Sequence, residues 1–150
     1  MNTEAILKEV RDAARKWGED LEPGATRLEI DAFVKEAERQ YGAMPPKAYI
    51  DMLRIVNGLE FSGLIVYGTK DSISDADSSP LNFFVANDSF RETHNRDAEK
   101  LLLLGETSTG LLVYDTGHDQ FQYRDRIGID RVEPYSSFAT MLESEVKKVL

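Results

Sequence analysis

The sequence contains no cysteine. Disulfides, thiol nucleophiles and cysteine-ligated zinc or iron–sulfur centres are therefore excluded, and the composition fits a reducing compartment. Histidine is almost as scarce: His94 and His118 are the only two. They lie in polar surroundings without HxxxH or HExxH spacing, so both are expected to face solvent and no metal site is expected. Long apolar runs are missing too. The longest, Leu101 to Leu104, falls far short of the roughly 20 residues a membrane-spanning helix needs. Charged and apolar types alternate near the start (Glu4, Lys8, Glu9, Arg11, Asp12) where an export signal would be continuously apolar. The expected address is the cytoplasm, where the acceptor-like Asn87-Asp88-Ser89 meets no glycosylation machinery.

Positive charge is the other deficit. The 150 residues hold 18 Lys and Arg against 27 Asp and Glu, a net charge of −9. The excess is −3 over residues 1–60 and −6 over residues 61–150. Nucleic acid is a poor direct ligand for such a chain, because its affinity comes largely from phosphate neutralisation by Lys and Arg. A basic protein partner is better served. A chain of this length removes roughly 70% of its unfolded surface from water, and one domain spanning residues 1–150 is expected.

Ile6, Val10, Ala13, Ala14 and Trp17 recur at helical spacing, so residues 3–17 read as a helix with Asn2 or Thr3 as cap, Gly18 as stop and this stripe facing the core. Residues 21–25 contain Pro-Gly and read as a loop. Thr26-Arg-Leu-Glu29 has the form of a capping box; the helix after it carries Ile30, Phe33, Val34, Ala37 and Tyr41 and stops at Gly42. Pro45-Pro46 opens a third helix with Tyr49, Met52, Leu53 and Val56 on one face, ended by Asn57-Gly58. The period then shifts to strands: Leu59 to Phe61 and Leu64 to Tyr67 around a Ser62-Gly63 turn. Residues 68–80 read as a loop and 81–91 as a helix. Three strands follow at 100–105, 111–115 and 120–123, and Ile127, Ile129 and Val132 alternate as a fourth that Pro134 ends. Ser136 or Ser137 caps a closing helix bearing Phe138, Met141, Leu142, Val146, Val149 and Leu150. Helices, an antiparallel sheet and a closing helix make the expected class α+β.

Motifs for chemistry are weak. Gly105-Glu-Thr-Ser-Thr-Gly110 has the glycines of a phosphate loop, but Leu111-Leu112 stand where Lys and Ser or Thr are needed, so it reads as a hairpin turn. Asp75-Ala-Asp77 resembles the start of a calcium loop, yet Pro80 and Ala86 replace its glycine and glutamate. A small hydrolase would have to work through such carboxylates; without a GxSxG elbow or a distinctive pairing, no catalytic residue, cofactor or enzymatic activity is expected. Phe33, Tyr41, Tyr49 and Phe138 are core aromatics by their helical spacing.

Met44-Pro-Pro-Lys-Ala-Tyr-Ile-Asp-Met-Leu-Arg-Ile-Val-Asn-Gly58 resembles the signature of the SUKH superfamily, in which a Pro-started helix ends in Asn-Gly before the first strand. Leu101-Leu-Leu-Leu-Gly-Glu106 with Leu112-Val-Tyr-Asp115 is similar to that family's central strand pair, and Phe138 to Leu150 to its closing helix. The likeness covers residues 26–150, and Phe83 to Arg91 resembles the YrhA-like branch. The chain departs from the pattern where Glu106-Thr-Ser-Thr-Gly110 replaces a Gly-Asp pair and where no Trp stands near Phe90. The resemblance implies a binding domain with no chemistry of its own: a bacterial immunity protein that neutralises a cognate toxin, in many cases a nuclease, or alternatively a regulatory adaptor of the cell-wall-regulator type. A nuclease presents a basic surface to phosphates, so an acidic inhibitor is steered towards it, with no direct contact to nucleic acid or membrane. The expected partner-binding residues are Glu60, Asp71, Asp75 and Asp77 on the loop side and Asp115, Asp119 and Asp125 at hairpin ends, with Tyr67 and Tyr114 as aromatic anchors.

Overall fold

The computed structural model describes residues 2–69, 82–94 and 100–150. Helices α1 (Thr3–Lys16), α2 (Arg27–Tyr41) and α3 (Lys47–Ile55) lead into a hairpin of β1 (Leu59–Phe61) and β2 (Leu64–Val66). Helix α4 (Phe83–His94) comes next, then β3 (Leu101–Glu106), β4 (Gly110–Asp115), β5 (Gln120–Asp125), β6 (Val132–Tyr135) and the closing α5 (Phe138–Val149). All six strands form one antiparallel sheet in chain order, so the class is α+β.

Local chemistry explains most boundaries. The Asn2 side chain accepts from the Ala5 amide at 2.8 Å and starts α1. Both halves of the Thr26–Glu29 capping box are present, and Gly42 stops α2 in the left-handed conformation. Ser137, not Ser136, caps α5 by accepting from the Thr140 amide at 3.1 Å. Such caps satisfy amides with no partner inside the helix, each contributing about 1 kcal/mol. Ser62 and Gly63 both have positive φ, as a two-residue hairpin turn of matching twist requires.

Directly paired residues share a face of the sheet, which sorts the side chains into two sets. The inner face carries Leu59, Phe61, Leu64, Val66, Leu102 and Leu112, all buried. Helix α5 lies on it: the Phe138 ring is 5.8 Å from that of Phe121 and 6.0 Å from that of Tyr49 on α3. The outer face carries Leu101, Leu103, Leu111 and Val113, which are buried as well. Burial on both faces explains why β3 reads as an unbroken leucine run instead of alternating. A register shift between Leu103 and Gly105 interrupts it. There β2 crosses so closely that a Cβ on Gly105 would stand 2.3 Å from the Ile65 carbonyl oxygen.

Three expectations are corrected. Trp17 is 80% exposed; it is the cap residue one position past α1, and Leu7 takes the place in the buried stripe. The strand expected from Ile127 to Val132 is instead β6 at Val132–Tyr135, with Ile127 99% exposed in the preceding turn. Pro134 sits inside that strand because β6 is the sheet edge, where an amide facing away from β5 has no strand to donate to. Leu150 is exposed beyond the end of α5. Asn57 does more than end a helix: it is buried, and its carboxamide donates to the Thr69 hydroxyl at 2.9 Å and accepts from the Thr69 amide at 2.8 Å. The chain leaving β2 is thereby tied to the end of α3.

Candidate functional site

Of the nine residues singled out from the sequence, six lie among the described residues: Tyr114, Asp115 and Asp119 meet at the β4–β5 turn, Asp125 stands at the other end of those strands, and Glu60 and Tyr67 belong to the β1–β2 side of the sheet. Glu60 is exposed on β1, the edge strand of the sheet among the described residues. Tyr67 is only 3% exposed and its carbonyl accepts from the Tyr49 hydroxyl, so it is packed into the core and is no protruding surface anchor; what it leaves accessible contributes to the lining of the groove beside α4. Asp71, Asp75 and Asp77 lie outside the described residues. Asp115 is buried in the β4–β5 turn, accepting from the amides of Gly117 and His118 at 2.9 and 3.2 Å and facing His118 Nδ1 at 3.0 Å. Burial alone would raise its pKa, but the bonds from His118 and Gly117 outweigh that and hold the carboxyl below its ordinary range. Asp119 is exposed with a positive φ and accepts from the Tyr114 hydroxyl at 2.5 Å. Partial burial, then the Asp119 contact, pushes the Tyr114 pKa up to about 12.

Asp125 closes the opposite turn, accepting from the Ile127 and Gly128 amides at 2.8 and 3.1 Å. Those two bonds lower its pKa. In the hairpin register Gly110 pairs with Asp125 and Asp115 with Gln120, so Asp115 and Asp125 stand at opposite ends, about 17 Å apart by strand rise. Both carboxylates serve as turn acceptors and belong to no common surface. The sequence held the signal for this: each Asp precedes a glycine by two or three positions, Asp115-Thr-Gly117 and Asp125-Arg-Ile-Gly128, the composition of a side-chain-closed turn.

What the fold does bring together lies along α4. The short strand β2 ends at Val66, and the last backbone rung to β3 is the Tyr67 amide donating to the Leu104 carbonyl at 2.9 Å. Beyond it, side chains of α4 continue the ladder. The Asn87 carboxamide donates to the Leu103 carbonyl at 2.9 Å and accepts from the Leu103 amide at 2.8 Å, and one turn on Arg91 donates to the Leu101 carbonyl at 3.2 Å. Asn87 is fully buried, which also removes it as a surface acceptor for sugar. A buried backbone pair left unsatisfied costs about 1–3 kcal/mol per group, so this fastening fixes where α4 sits.

Helix α4, held by that edge, encloses a groove of about 490 Å³ with the outer face of the sheet. Val85, Ser89 and Phe90 form one wall, with Leu103 and Leu111 opposite. Glu106 and Arg126 stand in the lining 2.6 Å apart, and the Arg126 guanidinium also donates to the Thr107 carbonyl, at 3.1 Å from Nε and 3.0 Å from Nη2. Burial, then the charge of Glu106, raises the Tyr67 pKa above its ordinary value. Sequence patterning did not single out Glu106 or Arg126, because 20 positions separate them and only the β3–β4–β5 meander joins them. A second groove of about 320 Å³ lies between α2 and α3, lined by Ile30, Val34, Met44 and Arg54.

Among the described residues no three His, Asp or Glu side chains are grouped to hold a metal ion, and no helix is long and apolar enough to cross a membrane. No protein-family model matches the chain, and no curated protein matches it. In the groove the paired Glu106 and Arg126 stand beside the apolar side chains of Phe90, Leu103 and Leu111, an arrangement suited to recognising an apolar surface with a polar margin.

Proposed function

We propose that this chain is a non-enzymatic binding domain: a cytoplasmic immunity protein that neutralises a cognate toxin of basic surface by stoichiometric contact, as the SUKH resemblance implies. The observation that carries this reading is the α4 groove, whose ionised pair Glu106–Arg126 is already mutually engaged beside an apolar wall. That is the make-up of an interface core with a polar rim. The net charge of −9 supports it in sign, since it favours encounter with a cationic partner. No cofactor, nucleic acid or membrane enters this mechanism.

The test is co-production with the protein encoded beside this one. That neighbour alone should arrest growth, and adding this chain should restore it through an isolable one-to-one complex. A harmless neighbour, or a toxic one that forms no complex with this chain, overturns the proposal.

A further inference from the structure

The outer face of the sheet continues the groove in one direction. Glu60 pairs with Ile65, and Ile65 pairs with Glu106, so these three side chains form a row across β1, β2 and β3. Strand spacing puts the two glutamates about 10 Å apart with Ile65 between them. Ile65 is half-buried, Glu60 exposed and Glu106 partly exposed. Arg126 neutralises Glu106 from the far side, through Oε2; Glu60 has no ion pair among the described residues. The row therefore keeps a net negative charge over an apolar centre, and it opens at Glu106 into the groove beside Phe90, Leu103 and Leu111.

We infer that this surface takes an extended segment of a protein partner that carries an apolar side chain followed by an Arg or Lys. The apolar side chain enters the groove between α4 and β3. The aliphatic stem of the cation lies on Ile65 and its charged head sits between Glu60 and Glu106. Long cationic side chains cover apolar surface in this way while the head stays hydrated. The inference rests on the binding-domain reading above and assigns that binding to one surface.

The probe is a short amidated peptide alternating Arg with Leu and Phe, titrated into the full chain while amide chemical shifts are followed. A peptide with Glu in place of Arg is the control. Shifts are expected at Ser89, Phe90, Ile65 and Glu106 with the basic peptide only. Glu60→Lys, at an exposed position, should weaken binding about fivefold, and Ser89→Trp, on the exposed side of α4, should abolish it by filling the groove. Shifts elsewhere, equal binding of the acidic peptide, or a Ser89→Trp variant that folds and binds normally overturns the inference. So does the same pattern produced by concentrating the chain alone, which makes a second copy the occupant. Because the peptide does not depend on the neighbouring gene, growth rescue without groove binding removes this surface and leaves the immunity reading intact. Groove binding without rescue does the reverse.

Discussion

The two sides of the sheet hold their helices by different means. On the inner face α5 packs by apolar contact, with Phe138 between the rings of Tyr49 and Phe121. At the edge of β3 helix α4 packs its buried Phe83 against Phe33 and Tyr49 and is in addition fastened by hydrogen bonds from Asn87 and Arg91, and a groove remains beside it on the outer side. Apolar packing is non-directional and fills space. A carboxamide bonded to one amide and one carbonyl fixes a position without requiring close packing around it. Apolar packing thus supplies stability under both helices, and the added hydrogen bonds hold α4 in register while leaving a cleft open.

The inner face should be the easier to break. Phe138→Ala removes a buried ring with two aromatic neighbours, and chemical denaturation should show a loss of about 3–5 kcal/mol. Asn87→Ala tests the outer fastening. It strands the Leu103 amide and carbonyl, with an expected loss of about 2–4 kcal/mol. Its local mark is faster hydrogen exchange at the Leu103 amide while inner-face amides of β4 and β5 keep their relative protection. Uniform loss of protection across the sheet would mean that the two sides do not separate in this way.

The same contrast explains what could be read in advance. Caps and tight turns are encoded within four residues, as in Thr26 to Glu29 or Ser62-Gly63, so they were legible. The inner face was legible through periodicity, since Tyr49, Met52 and Leu53 repeat at helical spacing and are all buried. The outer side was not. Asn87 in a helical pattern looks like an ordinary polar residue, and only the early end of β2 gives its carboxamide a backbone to bond. Tyr67 reads as a surface anchor because alternation cannot foresee that the segment after β2 is held against β3 and turned inwards. The groove needs α4, β3, β4 and the turn after β5 at once, and no local window contains them.

Asp115 offers a smaller effect with a defined sign. Against the opposing effect of burial, the bonds from His118 and Gly117 hold its carboxyl below the ordinary aspartate range. A depressed carboxyl contributes stability that is fully present above the unfolded pKa and is lost as pH falls through the folded one. Asp115→Ala should therefore lower stability at neutral pH by about 1–2 kcal/mol through loss of the turn bonds. It should also flatten the acid limb of the stability curve below about pH 4. A variant that keeps the wild-type acid limb would show that the turn does not hold Asp115 ionised.

The smallest effect belongs to Ile127, which is 99% exposed in a turn closed by Asp125. An isoleucine with its whole surface in water gains nothing from burial, and the turn is closed by backbone amides that any residue at this position supplies. Ile127→Ser should accordingly change stability by less than about 0.5 kcal/mol, read as a shift in thermal midpoint close to the error of the measurement. A larger fall that grows with protein concentration would mean that a second chain covers this tip in solution. The side chain would then belong with the buried residues of the inner face in its energetics, although it stands at the far end of the sheet.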